Sequence, residues 1–574
     1  MRKFIYFAIL ASILLALFWF LEQFIFFHTH NYPEVLQNYL NENLTLYRFQ
    51  LFGKQIFTEK TYQQSFYFLW IAIFLLLIAF SISIFRKKHF FEALEAHLLF
   101  FKQLKINIKT ILQSHQKSEF YLLGLAILLI VIHQIYMYQY IFVAMDEAFS
   151  WLYFASEGFF RSISHYPVPN NHVFYNLCSS FFGLFIPDAI LAMRITAMLS
   201  FWALLVLLYI FLLHKTNFWT AYISIIFVGL GFSQSVFSVQ GRGYMLLTLF
   251  VFLAFFSLYK FLETEQKGYL QIFTVASVLG FATIPVFLLA SVAFYAYVFH
   301  QIFIQKKYQK KLAIPFFWSA LWIAGSVWLF YTPILVFSGK DALLGNENVA
   351  PKDYDAHWFY TYIFPIAIRE SVIYVLSLPK YIAFLLALLL FVWGQWFYWK
   401  TQEKSHFFKS FWLFFVIAVV VALLITLVMR AFPFYRVWTY FSILLAMLLG
   451  FLFNFFVRKN QNIIAIFVLV FVFAGSFPQF WREIQDFYDP KAYKHHKNLE
   501  NQTKQLLEQN KIIELSEEAF YIHFWVKYWH KTSLLAQNSC QADVSVREIP
   551  EAQPACQEKY KDIWFLRFYT STKN

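Results

Sequence analysis

The chain has 574 residues, 60% of them apolar and 14% charged, with 46 Lys and Arg against 32 Asp and Glu for a net charge of +14. Soluble chains carry about a quarter charged residues, and here the apolar residues come in blocks of about 20, long enough to cross a hydrocarbon core, so a soluble protein is excluded. Most cations sit in short loops between those blocks, where they anchor topology rather than bind nucleic acid, and three cysteines are too few for a disulfide scaffold or a zinc cluster.

Met1-Arg2-Lys3 and the apolar run to Phe27 have the look of a signal peptide. The run is too long for an h-region and no small-residue cleavage site follows, so an uncleaved first span is expected. Further spans are predicted at 66–85, 119–143, 190–213, 218–237, 243–261, 269–284, 285–304, 313–336, 380–399, 411–428, 437–456 and 461–478. That makes about thirteen transmembrane helices, and Pro285 offers a kink that would merge 269–304 into one bent segment. With the amino terminus in the cytoplasm, the loops from Arg86 to Lys117, His214-Lys215, Lys260 to Lys267, Lys306 to Lys311, Lys400 to Lys409 and Arg458-Lys459 all fall inside. Every one is basic, as the positive-inside rule requires.

Loops 28–65, 144–189 and 337–379 and the tail from 479 then face outward, and loops this long point to function. The tail combines a helical stretch from Glu500 to Lys511, an aromatic segment from Ala519 to Trp529 and a strand-like Ile563 to Leu566. It reads as a small extracytoplasmic α/β domain. On the oxidising side of a membrane its two cysteines, Cys540 and Cys556, are expected to pair, whereas Cys178 reads as an apolar filler. The expected organisation is an N-terminal helix pair with a basic cytoplasmic loop (1–118), a transmembrane core (119–478) and the tail (479–574).

The outward end of the third span carries Asp146 and Glu147, two adjacent carboxylates that are costly at a membrane boundary unless solvated, paired or used. At about 100° per residue, Asp146, Ser150, Glu157 and Arg161 share one face of a short surface helix, with Glu157 and Arg161 spaced for an ion pair. Two prolines then lead into Asn170-Asn171-His172, whose amides and imidazole suit a sugar, a phosphate or a metal; the bland alternative is a loop that caps the next helix. Ser238 to Tyr244 places Arg242 between Gly241 and Gly243 at an outward turn. Topology does not explain an outward arginine, the glycines permit close approach of a ligand, and a guanidinium suits a phosphate. Arg430 and Arg436 repeat the theme between the eleventh and twelfth spans, with snorkelling as the bland reading. A carboxylate can deprotonate a hydroxyl or hold a divalent cation, with Asp146 and His172 the candidate metal ligands, and arginines can neutralise a phosphate leaving group.

The acidic pair after a core span, the Pro-rich loop entering an apolar helix, and Ile186-Pro187-Asp188-Ala189 through Met193-Arg194-Ile195 together resemble the GT-C membrane glycosyltransferases. The nearest groups are protein O-mannosyltransferases and the aminoarabinose transferases of lipid A. Gly241-Arg242-Gly243-Tyr244 is similar to an Arg-Tyr motif of bacterial members. The resemblance covers about residues 119–478. It implies a polyprenyl-phosphate-sugar donor, a lipid, protein or glycan acceptor, and inverting transfer on the extracytoplasmic face. Asp146 would be the base or acceptor-orienting carboxylate, and Glu147 a supporting neighbour. Arg242, Tyr244, Arg436, Arg430, Asn170, Asn171 and His172 would contact the donor, with a divalent metal ion as the one cofactor in view. The mobile outer loop of such enzymes would correspond to 337–379, which holds Asp341, Glu347, Asp353, Asp355 and His357. Asn170-Asn171-His172 departs from the Pro-Pro-Leu type sequence of many relatives, and residues 1–118 precede the usual start.

Two other classes fit a polytopic chain. A transporter or flippase of lipid-linked sugars would place polar groups near the bilayer midplane on broken helices, whereas these spans hold almost no ionisable residue and the charges gather at their ends. A surface-polysaccharide polymerase or ligase would rely on arginines and histidines of a large outer loop.

Overall fold

The computed structural model describes residues 2–43, 57–88, 91–92, 95, 116–166, 171–306, 308, 310–344, 355–378, 380–400, 406–430, 433, 435–456, 490–515, 520–529, 532–534, 543–548, 557–563 and 566–571. The chain begins with α1 (Arg2–Thr29), α2 (Tyr32–Asn43) and α3 (Glu59–Phe85). The central helices are α4 (Lys117–Tyr140), the short α5 (Met145–Tyr153), α6 (Phe159–Ser164) and α7 (Val173–Gly183), then α8 (Ala189–Lys215), α9 (Phe218–Leu230) and α10 (Phe232–Val239). They continue with α11 (Tyr244–Thr264), α12 (Lys267–Thr283), α13 (Phe287–Phe299), α14 (Ala313–Phe337) and the short α15 (Lys340–Leu344). Last come α16 (Ala356–Leu376), α17 (Lys380–Lys400), α18 (His406–Met429) and α19 (Phe441–Phe456).

Among the described residues, 11 helices are long and apolar enough to cross a bilayer, or 12 if the bent pair α9–α10 is one span. The chain is a polytopic membrane protein whose described spans are all helical. Only a helix satisfies its own backbone hydrogen bonds in lipid, which is why long apolar runs take this form. The span predicted at 461–478 lies outside the described residues, as do Asn170, Glu347, Asp353, Cys540 and Cys556.

α11 forms the centre of the bundle: 83% of its most apolar stretch is buried, against 11% for α1 at the periphery. α11 packs on α8 and α12, α9 on α19, and α13 on α18. Since lipid tails are as apolar as the side chains, such packing rests on close contact rather than on exclusion of water. α1 and α3 run antiparallel, tied by Tyr6 to the Ser83 carbonyl at 3.2 Å and by Tyr62 to the Phe27 carbonyl at 2.8 Å. They dock on α14, where Ser65 donates to the Val336 carbonyl at 2.8 Å.

Two expectations are corrected. Within the segment 337–379, expected as an outer loop, residues 356–376 are helical, with Arg369 and Glu370 paired at 2.7 Å. The adjacent opposite charges lowered its apolar character enough to hide a helix. Second, the polar face from Asp146 to Arg161 is not one helix. α5 ends at Tyr153, a 3₁₀ turn follows, and Gly158 at φ +99° turns the chain before α6. Glu157 is consequently bonded to Lys527 at 3.1 Å. Residues 269–304 are two helices, matching the two separate spans predicted there: the chain breaks at Ile284 to Val286 rather than kinking. α9 and α10 meet at 61°. Their junction, Gly231, leaves the helical conformation at ψ 134°, and Ser377 accepts from the Ser233 N–H at 3.2 Å at the start of α10.

The ends of the bundle differ. At one end Lys215 and Lys260 meet Glu263, and Lys311 lies 3.6 Å from Glu265. The other end gathers the last turn of α4, the starts of α8 and α11, the end of α10 and all of α5 to α7. The tail lies against it. There α20 (Pro490–Glu508) and α21 (Phe520–Tyr528) accompany four short strands, β1 (Ile513–Leu515), β2 (Val544–Glu548), β3 (Gln557–Ile563) and β4 (Leu566–Ser571), in the order β1-β2-β4-β3 with only β1 and β2 parallel. Tyr521 donates to the Val143 carbonyl at 3.1 Å and Tyr528 to Asp188 at 2.9 Å. Tyr521, Phe524 and Trp525 share a buried cluster with Phe149, Leu152 and Tyr153 of α5.

Candidate active site

Asp146 and Glu147 occupy the first turn of α5, where the helix dipole favours carboxylates. Successive helical residues are rotated by about 100°, and the two side chains meet different surroundings. Glu147 is fully buried. Its Oε2 accepts from the Ala144 N–H at 2.9 Å, the reach-back of a helix N-terminus, and its Oε1 accepts from the Gly241 N–H. Arg194 grips the same carboxylate from α8, Nε to Oε1 at 3.1 Å and Nη2 to Oε2 at 3.2 Å. Two further guanidinium hydrogens go to the carbonyls of Phe142 at 3.1 Å and Tyr138 at 3.4 Å. A buried pair persists only when hydrogen bonds satisfy what the ions leave over, and this one meets that condition. Glu147 thereby clamps the α10–α11 turn to the start of α5.

Asp146 keeps 38% of its side chain exposed. Its Oδ2 lies 3.0 Å from Arg436 Nη1 and 3.8 Å from Arg242 Nη2. Burial pushes its carboxyl upward, but Arg242 and Arg436 outweigh that and hold it below its usual value, so it is ionised at neutral pH. Arg242 is buried. Its Nη1 donates to Ser150 Oγ at 2.9 Å and the Asp146 carbonyl at 3.3 Å. Arg242 and Arg436 both lie over the Tyr244 ring, at 5.9 and 5.7 Å from its centroid, a cation–π platform that holds two like charges side by side.

His172 closes the group from the start of α7. Its Nδ1 accepts from the Gly243 N–H at 2.8 Å, and its Nε2 lies 3.3 Å from Arg242 Nη2. Burial, then Arg242 and Arg436, push its basicity well below the usual histidine value, so the ring is neutral. Asn171 is a brace: its amide donates to the carbonyls of Ser162 at 2.9 Å and His165 at 2.7 Å, and its Oδ1 accepts from Asn176 at 2.9 Å. A Cβ on Gly241 would stand 2.9 Å from Glu147 Oε1, and one on Gly243 3.0 Å from His172 Nδ1. The close approach these glycines permit is therefore to the protein's own side chains.

The structure thus brings Asp146, Glu147, Arg242, Tyr244, Arg436 and His172 together from four separate stretches of chain. It leaves Arg430 exposed at φ +49° past the end of α18. Asp341 faces Lys60 at 3.8 Å, and Asp355 precedes α16. Arg194 and Ser150 join this group through Glu147 and Arg242, with no role expected of them from sequence. The signal for Arg194 was an arginine in the second turn of an apolar helix, a charge that requires a buried partner.

Asp146 and His172 are arranged for other company than a divalent ion. A cation would have to displace Arg436 from Asp146 and lodge beside two guanidiniums, and among the described residues no three His, Cys, Asp or Glu side chains converge. The donor set does not fit a metal. It fits an anionic group approached by Arg242 and Arg436, with one ionised carboxylate at its edge. Comparison with known protein families, characterised proteins and solved structures finds no match for this chain.

Proposed function

We propose that this protein is an integral-membrane glycosyltransferase of the GT-C type, which moves a sugar from a polyprenyl-phosphate carrier to a hydroxyl of a lipid, protein or glycan. The observation that carries this reading is the half-exposed, ionised Asp146 held at 3.0 Å by Arg436 beside the buried Arg242. Basic side chains at the opposite end of the bundle support placing that end in the cytoplasm. The amino terminus then lies inside, while the site and the tail, read as a separate α/β domain, lie outside.

In this reading Arg242 and Arg436 receive the carrier phosphate. The acceptor oxygen attacks the anomeric carbon from the face opposite the phosphate. The new C–O bond forms as the bond to the phosphate oxygen breaks, and configuration inverts. The acceptor proton passes to Asp146, and the carrier leaves as its phosphate, its negative charge held by the guanidiniums. Glu147 does not touch substrate; with Arg194 it is a positioning residue.

The test is mass spectrometry of envelope glycolipids and glycoproteins from cells with the wild-type protein or Asp146→Asn. Loss of one sugar-sized increment in the variant names sugar and acceptor together. An unchanged glycan profile, with both proteins in the membrane, overturns the reading in favour of a carrier of lipid-linked sugars.

A further inference from the structure

α16 is long and apolar enough to cross a bilayer: its 21 residues make about 31 Å of helix, against about 30 Å of hydrocarbon. The chain nevertheless enters and leaves this region at the same end of the bundle. α14 finishes at the site end, where Ser338 accepts from the Tyr166 N–H at 2.9 Å and donates to the Ser164 carbonyl at 3.1 Å. α17 runs away from that end. Its Gln395 accepts from Trp412 at 3.1 Å, and Trp412 lies in the second turn of α18, whose far end leads to Arg436. A crossing by α16 would start α17 at the opposite end, and the polar stretch 345–354 is too short to cross a second time as a helix.

The contacts of α16 itself agree. Near its start, Tyr360 donates to the Leu427 carbonyl at 3.1 Å, in the last turn of α18. Near its end, the Tyr374 ring lies 6.2 Å from that of Phe237, which lies 4.7 Å from that of Tyr244 in the candidate site. Ser377, just beyond, bonds the Ser233 N–H, which is about 9 Å along α10 from the end of that helix. Arg242 and Arg436, which follow α10 and α18, meet on Asp146, so those two helix ends lie at one level. α16 therefore descends by no more than about a third of its length.

Its side chains suit the boundary of a membrane better than the centre. Arg369 and Glu370, near the middle of the helix, keep 38% and 46% exposure; charges are costly in hydrocarbon and tolerated among headgroups. Trp358, Tyr360, Tyr362 and Ile366 are exposed, and Trp and Tyr favour headgroup level. Val428 and Met429, next to Leu427, are exposed as well, so this face of α16 continues the apolar perimeter of the bundle. We infer that α16 is an interfacial helix that does not cross: it lies in the leaflet at the site end, with Trp358, Tyr362 and Ile366 among the headgroups and upper acyl chains. α16 also packs on the turn Tyr435–Tyr440 that carries Arg436, and so holds the candidate site at headgroup depth. The placement is independent of the glycosyl transfer proposed above and of which way the protein faces.

Two measurements on the full-length protein, in a background lacking the three native cysteines, test it. In the first, Asp355→Cys and Lys400→Cys are treated with an impermeant maleimide on intact cells and again after permeabilisation. One of the two is expected to react on intact cells and the other only after permeabilisation. Like behaviour of both would mean that α16 crosses, and would overturn the placement. In the second, Trp358→Cys, Tyr362→Cys and Ile366→Cys carry a bimane label in phosphatidylcholine nanodiscs with a nitroxide either on the headgroup or deep in the acyl chain. The headgroup nitroxide is expected to cause the larger loss of fluorescence at all three positions. A shift toward the deep nitroxide between positions 358 and 366 would show a crossing helix, and no quenching by either would show a face in water; each result overturns the interfacial placement.

Discussion

Asp146 and Glu147 are neighbours in sequence with opposite surroundings, and their substitutions should separate accordingly. Asp146 is half-exposed, and such pairs contribute no more than about 1 kcal/mol, so Asp146→Asn should leave thermal stability nearly unchanged. Loss of a general base should lower transfer by about 10²- to 10⁴-fold; a purified variant with wild-type turnover would remove Asp146 from the chemistry. Arg194→Leu should behave in the reverse sense. It leaves Glu147 charged and buried, a loss of about 3–5 kcal/mol, visible as a lower unfolding midpoint in detergent. The pH behaviour of Asp146 follows from the sign of its shift. Because Arg242 and Arg436 hold its pKa below the unfolded value, near about 3.9, their pairing contributes stability at neutral pH that disappears only as acid protonates the folded carboxylate. The acid limb of kcat/KM, which reports the free enzyme, should accordingly lie below the ordinary carboxylate range. Arg436→Gln should move that limb upward; an unmoved limb would show that Arg436 does not set the charge of Asp146.

The turn between α10 and α11 does the most with the fewest residues. Gly241 gives its N–H to Glu147, Gly243 gives its N–H to His172, and Arg242 between them is thereby pinned at both flanks. A methyl group at Gly241 would stand 2.9 Å from Glu147 Oε1 and 3.0 Å from Met193 Cβ. Gly241→Ala should therefore displace Arg242 and weaken binding of polyprenyl monophosphate. At Gly124 in α4 an added Cβ meets nothing within 4 Å. Gly124→Ala should be neutral, or stabilising by up to about 1 kcal/mol through helix propensity. Equal effects of the two substitutions on binding and melting would refute the packing argument. α16 is the other element of consequence, since Ser377 just beyond it touches the break between α9 and α10 and so reaches the helix that leads into the turn.

For the molecule as a whole, the asymmetry of its ends is the testable feature. Cationic groups that pair across helices at one end, and a site with a packed tail at the other, fit a protein that works on one side of a membrane. Single cysteines introduced at Lys311 and at Lys511, in a background lacking the three native ones, should differ in reaction with an impermeant maleimide on intact cells. Only the one at Lys511 should label. Labelling at Lys311 alone would invert the orientation and place the site in the cytoplasm.

Membrane class and most crossing helices were legible from the chain itself, because length and apolarity of a segment are local properties and lipid enforces helix on any such run. Asp146, Arg242, Arg436 and His172 were legible as candidates for the same reason: a charged or hydrogen-bonding side chain at the end of an apolar run is conspicuous wherever it folds. The grouping was not legible. Asp146 and Arg436 stand 290 positions apart, and which of two adjacent carboxylates turns into the core depends on where α8 places Arg194. The division of α5 from α6, the helical state of 356–376 and the internal purpose of the two glycines depended likewise on contacts between distant segments.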